Sequence, residues 1–364
     1  MSARLSILFA GGGTAGHLLP AIATEAALRK SGVGAATYEL EVTYLATRAG
    51  AERKILEAEN ARFRIVPKTD LPRKVGIEMV TFPVRLLVAL LRTFPLARKV
   101  DVIVGFGGYV ALPAYLAAFL ARKPLIVHEA NALPGLANRV GKRFAARALA
   151  NFPIASWERS DAIGLPIRES IWRIGTLTGE ERARLQLLAR SKFGLESIRK
   201  TILVFGGSLG AAKINGALSA ALDHLLANGY QILHSTGVGK DDIAKRAGYH
   251  PVAYISEMDQ AYLAADLVIA RSGAGTCAEV VASGLPAILV PLAIGNGEQL
   301  LNAHQVAQSR KNGSIKVIEN KDLTGELLSR AVDELIDIPF SGTHAKISAA
   351  DQLAQIIVEC GLQR

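Results

Sequence analysis

The chain has 364 residues, 50% of them hydrophobic and 20% charged. That length and composition exclude a disordered chain and a single ordinary core, and point to two globular domains. Its two cysteines, Cys277 and Cys360, lie far apart without metal-ligand spacing. They exclude a disulfide framework and fit a reducing cytoplasm. The formal charge is +10, yet residues 1–165 hold 22 Lys/Arg against 12 Asp/Glu while residues 166–364 hold 20 of each. A one-sided basic excess fits a polyanionic partner (nucleic acid, an anionic membrane surface or a phosphorylated substrate), or else a solvated basic face.

In chain order, strand-like runs fall at 5–10, 40–47, 63–67, 101–106, 124–129 and 148–152, then at 201–207, 230–237, 252–256, 266–271, 287–292 and 314–318. Most are near-continuous Val/Ile/Leu runs, as in parallel sheets covered by helices on both faces. Helix-period segments separate them. The pattern predicts two doubly wound, Rossmann-like α/β domains facing a cleft, 1–165 and 166–340, divided within DAIGLPIRESIW (161–172). LSILFA runs straight into glycines, so no signal peptide is expected. Val102 to Ala121 is uncharged for 20 residues, but Gly105, Gly107, Gly108 and Pro113 interrupt it. A strand, a glycine turn and a helix are expected there, with no transmembrane segment.

Each half opens with a strand and a glycine loop, FAGGGTAGH and VFGGSLGAAK. Gly11, Gly13 and Gly16 fit G-x-G-x-x-G, but the second strand ends YLATR, without the acid that a dinucleotide ribose requires. Arg48 at that tip could meet a 2′-phosphate, which keeps an NADP site open. The loop's successive N–H groups and helix N-terminus suit an anion, Thr14 adds a hydroxyl, and His17 suits a base or a phosphate donor. A tight turn with no ligand is the plain alternative. In ARSGAGTCAEVV (270–281) a strand ends at Arg271 and a helix is expected to start near Thr276. Glu279, in its first turn, is placed to accept both hydroxyls of a ribose. Phosphate at a helix N-terminus beside such an acid is the layout for a uridine nucleotide sugar. Gln299 and Asn302 share a helical face; their amides either read sugar hydroxyls or line a solvated surface.

The ordered set GGGTAGH, GFGGYVALPAYLAA, HEANALPGLANR, GLPIR, FGGSLGA, RSGAGTCAEVVASGLPAILVPL and GEQLLNA resembles the motifs of the MurG family, from about residue 7 to 305. These are bacterial transferases of N-acetylglucosamine in peptidoglycan synthesis. The resemblance implies the two-domain GT-B fold, UDP-N-acetylglucosamine as donor, no active-site metal or other cofactor, and a prenyl-linked lipid I acceptor. It also implies a peripheral place on the inner face of the cytoplasmic membrane, possible contact with other cell-wall synthesis proteins, and no nucleic-acid partner. In the family the C-terminal helix returns to the N-terminal domain, which would claim 341–364. By motif, the donor would touch Thr14, Ala15, Gly16, Asn131, Arg168, Ser208, Ile255, Ala274, Gly275, Thr276, Cys277, Ala278, Glu279 and Gln299, with Asn302 beside it. The acceptor diphosphate would lie at Gly12, Gly13, Thr14, His17 and Tyr109. Ala130, Leu165 and Leu209 stand where the family commonly has Gln, Asn and Gln.

Inverting transfer then needs a base, for which His17 is the candidate, with His128 and Glu129 as alternatives that could instead hold the HEAN loop. Leaving-group charge would fall on the N–H groups of 274–277, with Arg168 and Ser208. The segment 72–99 mixes Met79, Phe82, Leu86 and Leu90 with Arg85 and Arg92, which suits an anionic membrane surface or a core helix. The remaining alternatives are another GT-B lipid glycosyltransferase, a UDP-sugar epimerase, an NADP oxidoreductase and a non-catalytic nucleotide-binding subunit.

Overall fold

The computed structural model describes residues 3–13, 15–31, 38–70, 77–157, 161–207, 212–237, 246–292, 296–310, 312–342 and 345–362. The chain divides into two compact units, Met1–Ile167 with Ile347–Arg364, and Arg168–Lys346.

In unit 1 the strands are β1 (Ala3–Gly12), β2 (Tyr38–Ala46), β3 (Phe63–Ile65), β4 (Val102–Gly108), β5 (Leu125–Glu129), β6 (Arg147–Ala150) and β7 (Asp161–Ala162). They form one parallel sheet in the order β3-β2-β1-β4-β5-β6-β7. Its helices are α1 (Ala15–Ser31), α2 (Ala51–Ala58), α3 (Ile77–Lys99), α4 (Ala111–Ala121) and α5 (Leu136–Gly141). In unit 2 the strands β8 (Thr201–Phe205), β9 (Gln231–Ser235), β10 (Tyr249–Val252), β11 (Leu267–Ala270), β12 (Ala287–Leu289) and β13 (Ile315–Val317) run β10-β9-β8-β11-β12-β13, also parallel. Its helices are α6 (Glu169–Trp172), α7 (Gly179–Lys192), α8 (Ala212–Ala227), α9 (Met258–Ala264), α10 (Ala274–Ser283), α11 (Glu298–Ser309) and α12 (Gly325–Leu335). α13 (Ala349–Leu362) completes the chain in unit 1.

Both sheets are doubly wound, and in each the order reverses beside the first strand, between β1 and β4 and between β8 and β11. Ligands of such sheets bind beyond the strand carboxyl ends at that reversal. The glycine loop after β1, the glycine turn that ends β4, and the Ser-Gly-Ala-Gly turn after β11 lie there.

Unit 1 has a core on each face of its sheet. On one, Leu5, Ile7 and Phe9 of β1 pack with Leu18 and Leu28 of α1 and with Leu353, Ala354 and Ile357 of α13. Burying Leu353 and Ile357 fully stabilises the α13 docking by roughly 1.5–3 kcal/mol each. Gly361 permits this approach, since a Cβ there would lie 2.5 Å from Leu5 Cδ1. On the other face, α3 and α4 pack over Leu8, Ile103 and Val127.

Three differences from the sequence reading have local causes. The tenth strand is Tyr249–Val252, earlier than 252–256, because it pairs in register with Ile232–Ser235. β7, two residues long, carries no apolar run to betray it. Of the tail expected in unit 1, residues 341–346 stay in unit 2. There Ser341 N–H donates to Gly284 O (3.0 Å) and Arg310 donates to Ser341 O (3.2 Å). The segment Val102–Ala121 is a strand, glycine turn and helix, as expected. α3 is nonetheless long and apolar enough to cross a membrane by length and composition.

Candidate functional site

At the β1–β4 reversal, two glycine loops lie against each other. Gly11 and Gly12 pair with Gly107 and Gly108, after a register shift at Ala10. A Cβ on Gly108 would fall 1.8 Å from Gly12 O, and one on Gly13 would fall 2.5 Å from the Tyr109 ring. Gly13, Gly107 and Gly108 also hold φ near +99°, +87° and +83°, where side chains are strained. The backbone can approach a ligand here because these residues have no side chains.

The half-buried His17, on the first turn of α1, places Nδ1 2.9 Å from Phe106 O. A carbonyl only accepts, so in the neutral ring Nδ1 carries the proton and Nε2 the lone pair. This is the tautomer a base needs, with Nε2 as the acting atom. Tyr109 is partly exposed; its carbonyl accepts from Thr69 N–H (3.3 Å) and its ring lies 4.2 Å beneath Lys68 Nζ. The loop's Gly13 N–H is itself engaged, donating to Glu52 Oε2 at 3.1 Å. Glu52 was not anticipated. It is fully buried on α2 and accepts from Thr47 N–H (3.0 Å) and Oγ1 (2.7 Å). Burial works to raise its pKa, but these bonds outweigh it and hold the carboxyl below its ordinary range. Thr14 lies outside the described residues, as does the side chain of Ala15.

A buried polar chain joins the second glycine loop to the HEAN segment. Gly107 N–H donates to Tyr115 Oη (3.3 Å), which donates to Asn138 Oδ1 (2.6 Å). Asn138 Nδ2 donates to Glu129 Oε2 (2.8 Å), which also accepts from Gly135 N–H (3.0 Å); Oε1 accepts from Asn131 N–H (2.9 Å). Tyr115 fits because Gly105 and Gly141 flank it; a Cβ on either would reach within 2.4 Å of its ring. Glu129 is therefore the organiser of its loop. His128 is fully buried, with Nε2 2.8 Å from Gly164 O, and burial pushes its pKa down to about 4. It is neutral at pH 7 and faces the fold, in keeping with the loop-holding alternative. Ala130 and Leu165 are both buried apolar residues.

In unit 2, α10 begins at Ala274 with Gly273 as N-cap. Two expectations are corrected. Cys277 N–H donates to Gly273 O (2.9 Å), so the N–H groups left for an anion by helix geometry are those of 274–276, not 274–277. Glu279, the sixth residue, lies in the second turn. It can still serve the N-terminus because helical side chains lean that way. Its Oε2 accepts from the buried Tyr262 Oη at 3.0 Å. Burial raises the Glu279 pKa, against the opposing pull of Tyr262 and of the exposed Arg168, which lies near enough to act on it. Cys277 Sγ is fully buried, its thiol pushed up to about 12, so it serves packing. Ile255 is buried and Ala278 half-buried.

The amide pair of α11 braces the turn. Gln299 Oε1 accepts from Leu292 N–H (2.9 Å), and its carbonyl accepts from Ser272 Oγ (2.8 Å). Asn302 is fully buried and donates to Ser272 O (3.3 Å), so its place as a sugar reader is corrected to one of holding the turn. Gln299 remains half-exposed. Ser208 and Leu209 lie outside the described residues. No group of three metal-ligating side chains occurs among the described residues.

α3 also corrects the sequence reading. Phe82, Leu86, Leu90 and Phe94 pack on the core, with Ala89, Thr93 and Ala97 fully buried. The exposed apolar stripe is Met79, Val80, Val84, Leu87, Val88 and Leu91. Arg92 is exposed and Arg85 half-buried. Period alone cannot say which of two apolar helix faces meets the sheet.

Profiles of the glycosyltransferase family 28 N-terminal and C-terminal domains match residues 7–150 and 201–358. A curated relative from Nocardioides sp. is 41% identical over 98% of this chain and 99% of its own. It is named UDP-N-acetylglucosamine–N-acetylmuramyl-(pentapeptide) pyrophosphoryl-undecaprenol N-acetylglucosamine transferase. One of the same name from Mycolicibacterium smegmatis is 42% identical over 97% of this chain and 90% of its own. The crystal structure of Acinetobacter baumannii MurG aligns with a TM-score of 0.72 at 26% identity, covering 98% of this chain and 99% of that one. The calicheamicin glycosyltransferase CalG4 shares the fold at 15% identity, TM-score 0.62, over 99% of this chain and 96% of that one.

Proposed function

This chain belongs to glycosyltransferase family 28, among the MurG enzymes, and from that membership we propose that it moves N-acetylglucosamine from UDP-N-acetylglucosamine to the muramoyl C4 hydroxyl of lipid I, inverting the anomeric centre and forming lipid II. The observation that carries this reading is the near-full-length identity to transferases of that name. The α10 terminus supplies the matching chemistry.

In this reading the UDP diphosphate sits on the N–H groups of 274–276, where fixed dipoles stabilise charge as the leaving group departs. Glu279, held by Tyr262, accepts the ribose hydroxyls; Arg168 and Gln299 lie in the same unit to complete the donor site. His17 Nε2 takes the proton of the acceptor hydroxyl, and its Nδ1–H is anchored on Phe106 O so that the ring keeps its orientation. The sequence has no Asp-x-Asp to bridge a metal to the diphosphate, which supports metal-independent transfer. The exposed stripe of α3, with the basic excess of residues 1–165, supports peripheral binding to an anionic membrane, where the acceptor resides.

Radiolabel transfer from UDP-N-acetylglucosamine to a short-chain lipid I analogue tests the proposal. Transfer is expected, and it should persist in EDTA. UDP binding without acceptor-dependent transfer would point instead to an epimerase or a binding module, and NADP protection to an oxidoreductase.

A further inference from the structure

The peptide that joins Phe106 to Gly107 is bonded by a side chain at each end. The register of β1 against β4 passes from Ala10–Gly105 to Gly11–Gly107, which leaves Phe106 as the extra residue of a bulge. Its carbonyl accepts from His17 Nδ1 at 2.9 Å, and the Gly107 N–H donates to Tyr115 Oη at 3.3 Å. A peptide is planar, so a bond that fixes one end aims the other. Gly107 and Gly108 both hold positive φ, and glycine backbone needs such an anchor to keep one orientation.

Beyond Tyr115 donation continues in the same direction. Its hydroxyl donates to Asn138 Oδ1 (2.6 Å), and Asn138 Nδ2 donates to Glu129 Oε2 (2.8 Å) and to His128 O (3.3 Å). Both partners of Nδ2 can only accept, which settles the orientation of the amide. Hydrogen bonds therefore run one way from the His17 ring through a peptide, a phenol and an amide to the Glu129 carboxylate. Each dipole turns its negative end toward His17, so the aligned chain favours a positive charge on that ring. Tyr115, Asn138 and Glu129 are all buried, where a low dielectric strengthens such alignment. Burial pushes the Tyr115 pKa far above its ordinary value, so the phenol keeps its proton. The chain polarises, and no proton travels along it.

We propose that Tyr115 is a positioning residue for His17, coupling its ring through the Phe106–Gly107 peptide and Asn138 to the buried charge of Glu129. This rests on the transferase reading with His17 as base. When Nε2 takes the acceptor proton, the chain holds Nδ1–H in place and stabilises the imidazolium. An Asp does this for the histidine of a hydrolase triad. Here the carboxylate acts across three intervening groups.

The test is nitrogen NMR of the full chain labelled in its histidines, alongside transfer kinetics. The His17 signals are assigned by their loss in His17→Gln, and wild type should show His17 protonated on Nδ1. Tyr115→Phe keeps the ring and removes the bonded hydroxyl, so the Nε2–H form of His17 should gain population. Its kcat should fall roughly three- to tenfold, the worth of one net hydrogen bond, with UDP affinity and acceptor KM unchanged. Wild-type His17 protonated on Nε2 overturns the proposal without recourse to any variant. An unchanged tautomer or an unchanged kcat in Tyr115→Phe also overturns it, and assigns the phenol to packing alone. Absence of transfer by the wild-type chain would fail the transferase reading instead, and the two tautomer measurements would still decide the coupling.

Discussion

The N–H of Gly13 donates to the Glu52 carboxylate across 3.1 Å, and the same carboxylate takes both the N–H and the hydroxyl of Thr47. One buried group thereby ties the loop after β1 to the end of β2. The glycine loop is shaped by a protein anion before any ligand arrives.

Glu52→Gln keeps the shape but removes the charge from three donors. A loss of about 1–3 kcal/mol in unfolding free energy is expected by denaturant titration. The Glu52 pKa is lowered on folding, so its contribution is complete above the ordinary value near 4.5 and fades as pH falls through the lower folded value. The difference between wild type and variant should therefore shrink with acidification.

His17→Ala separates two roles. Loss of a general base should lower kcat by about 10²–10⁴ with little change in UDP affinity. Loss of a phosphate ligand alone should raise acceptor KM and spare saturated kcat. Normal values of both would leave the loop working through its backbone.

Glu279→Ala should weaken UDP-sugar binding by roughly 1–3 kcal/mol, read by calorimetry. Tyr262→Phe removes only the bond that positions the carboxylate, and about 0.5–1.5 kcal/mol is expected. Equal donor affinity in both variants would remove the ribose assignment.

His128 is depressed to about 4 from an ordinary 6.5. Between these values the unfolded chain binds the proton and the folded chain does not. Stability from this group is full above pH 6.5 and falls by roughly 3 kcal/mol as pH drops through 4. His128→Asn should flatten the stability profile across that interval.

The two faces of α3 should behave differently. Leu87→Ser/Leu91→Ser is expected to reduce binding to anionic vesicles with little effect on stability. Phe82→Ala or Leu90→Ala should cost about 2–5 kcal/mol of stability by opening a core cavity. Equal vesicle binding by the stripe variant would remove the membrane role from this face.

Much was legible in the order of residues. Continuous apolar runs with helix-period segments between them specify parallel strands, because a strand covered on both faces has no polar side to show. Glycine at 11, 13, 107 and 108 marks backbone that must turn or approach closely, and the two loops do meet. The Ser-Gly-Ala-Gly turn before α10 likewise declares a helix N-terminus, since its chemistry is local.

What the tertiary structure decided was direction and partnership. α3 is apolar on both sides, and only packing shows that Phe82 and Leu90 face inward while Leu87 and Leu91 face out. Asn302 and Gln299 share a helix face, yet one is sealed against Ser272 and the other is half-exposed. Glu52, Tyr115, Asn138 and Tyr262 carry no motif of their own. Each makes a hydrogen bond to a residue 17 to 39 positions away, where the partner is set by how the sheet brings distant strand ends together. Local pattern encodes the period of an element; which of its faces is buried, and against what, depends on contacts that no local stretch contains.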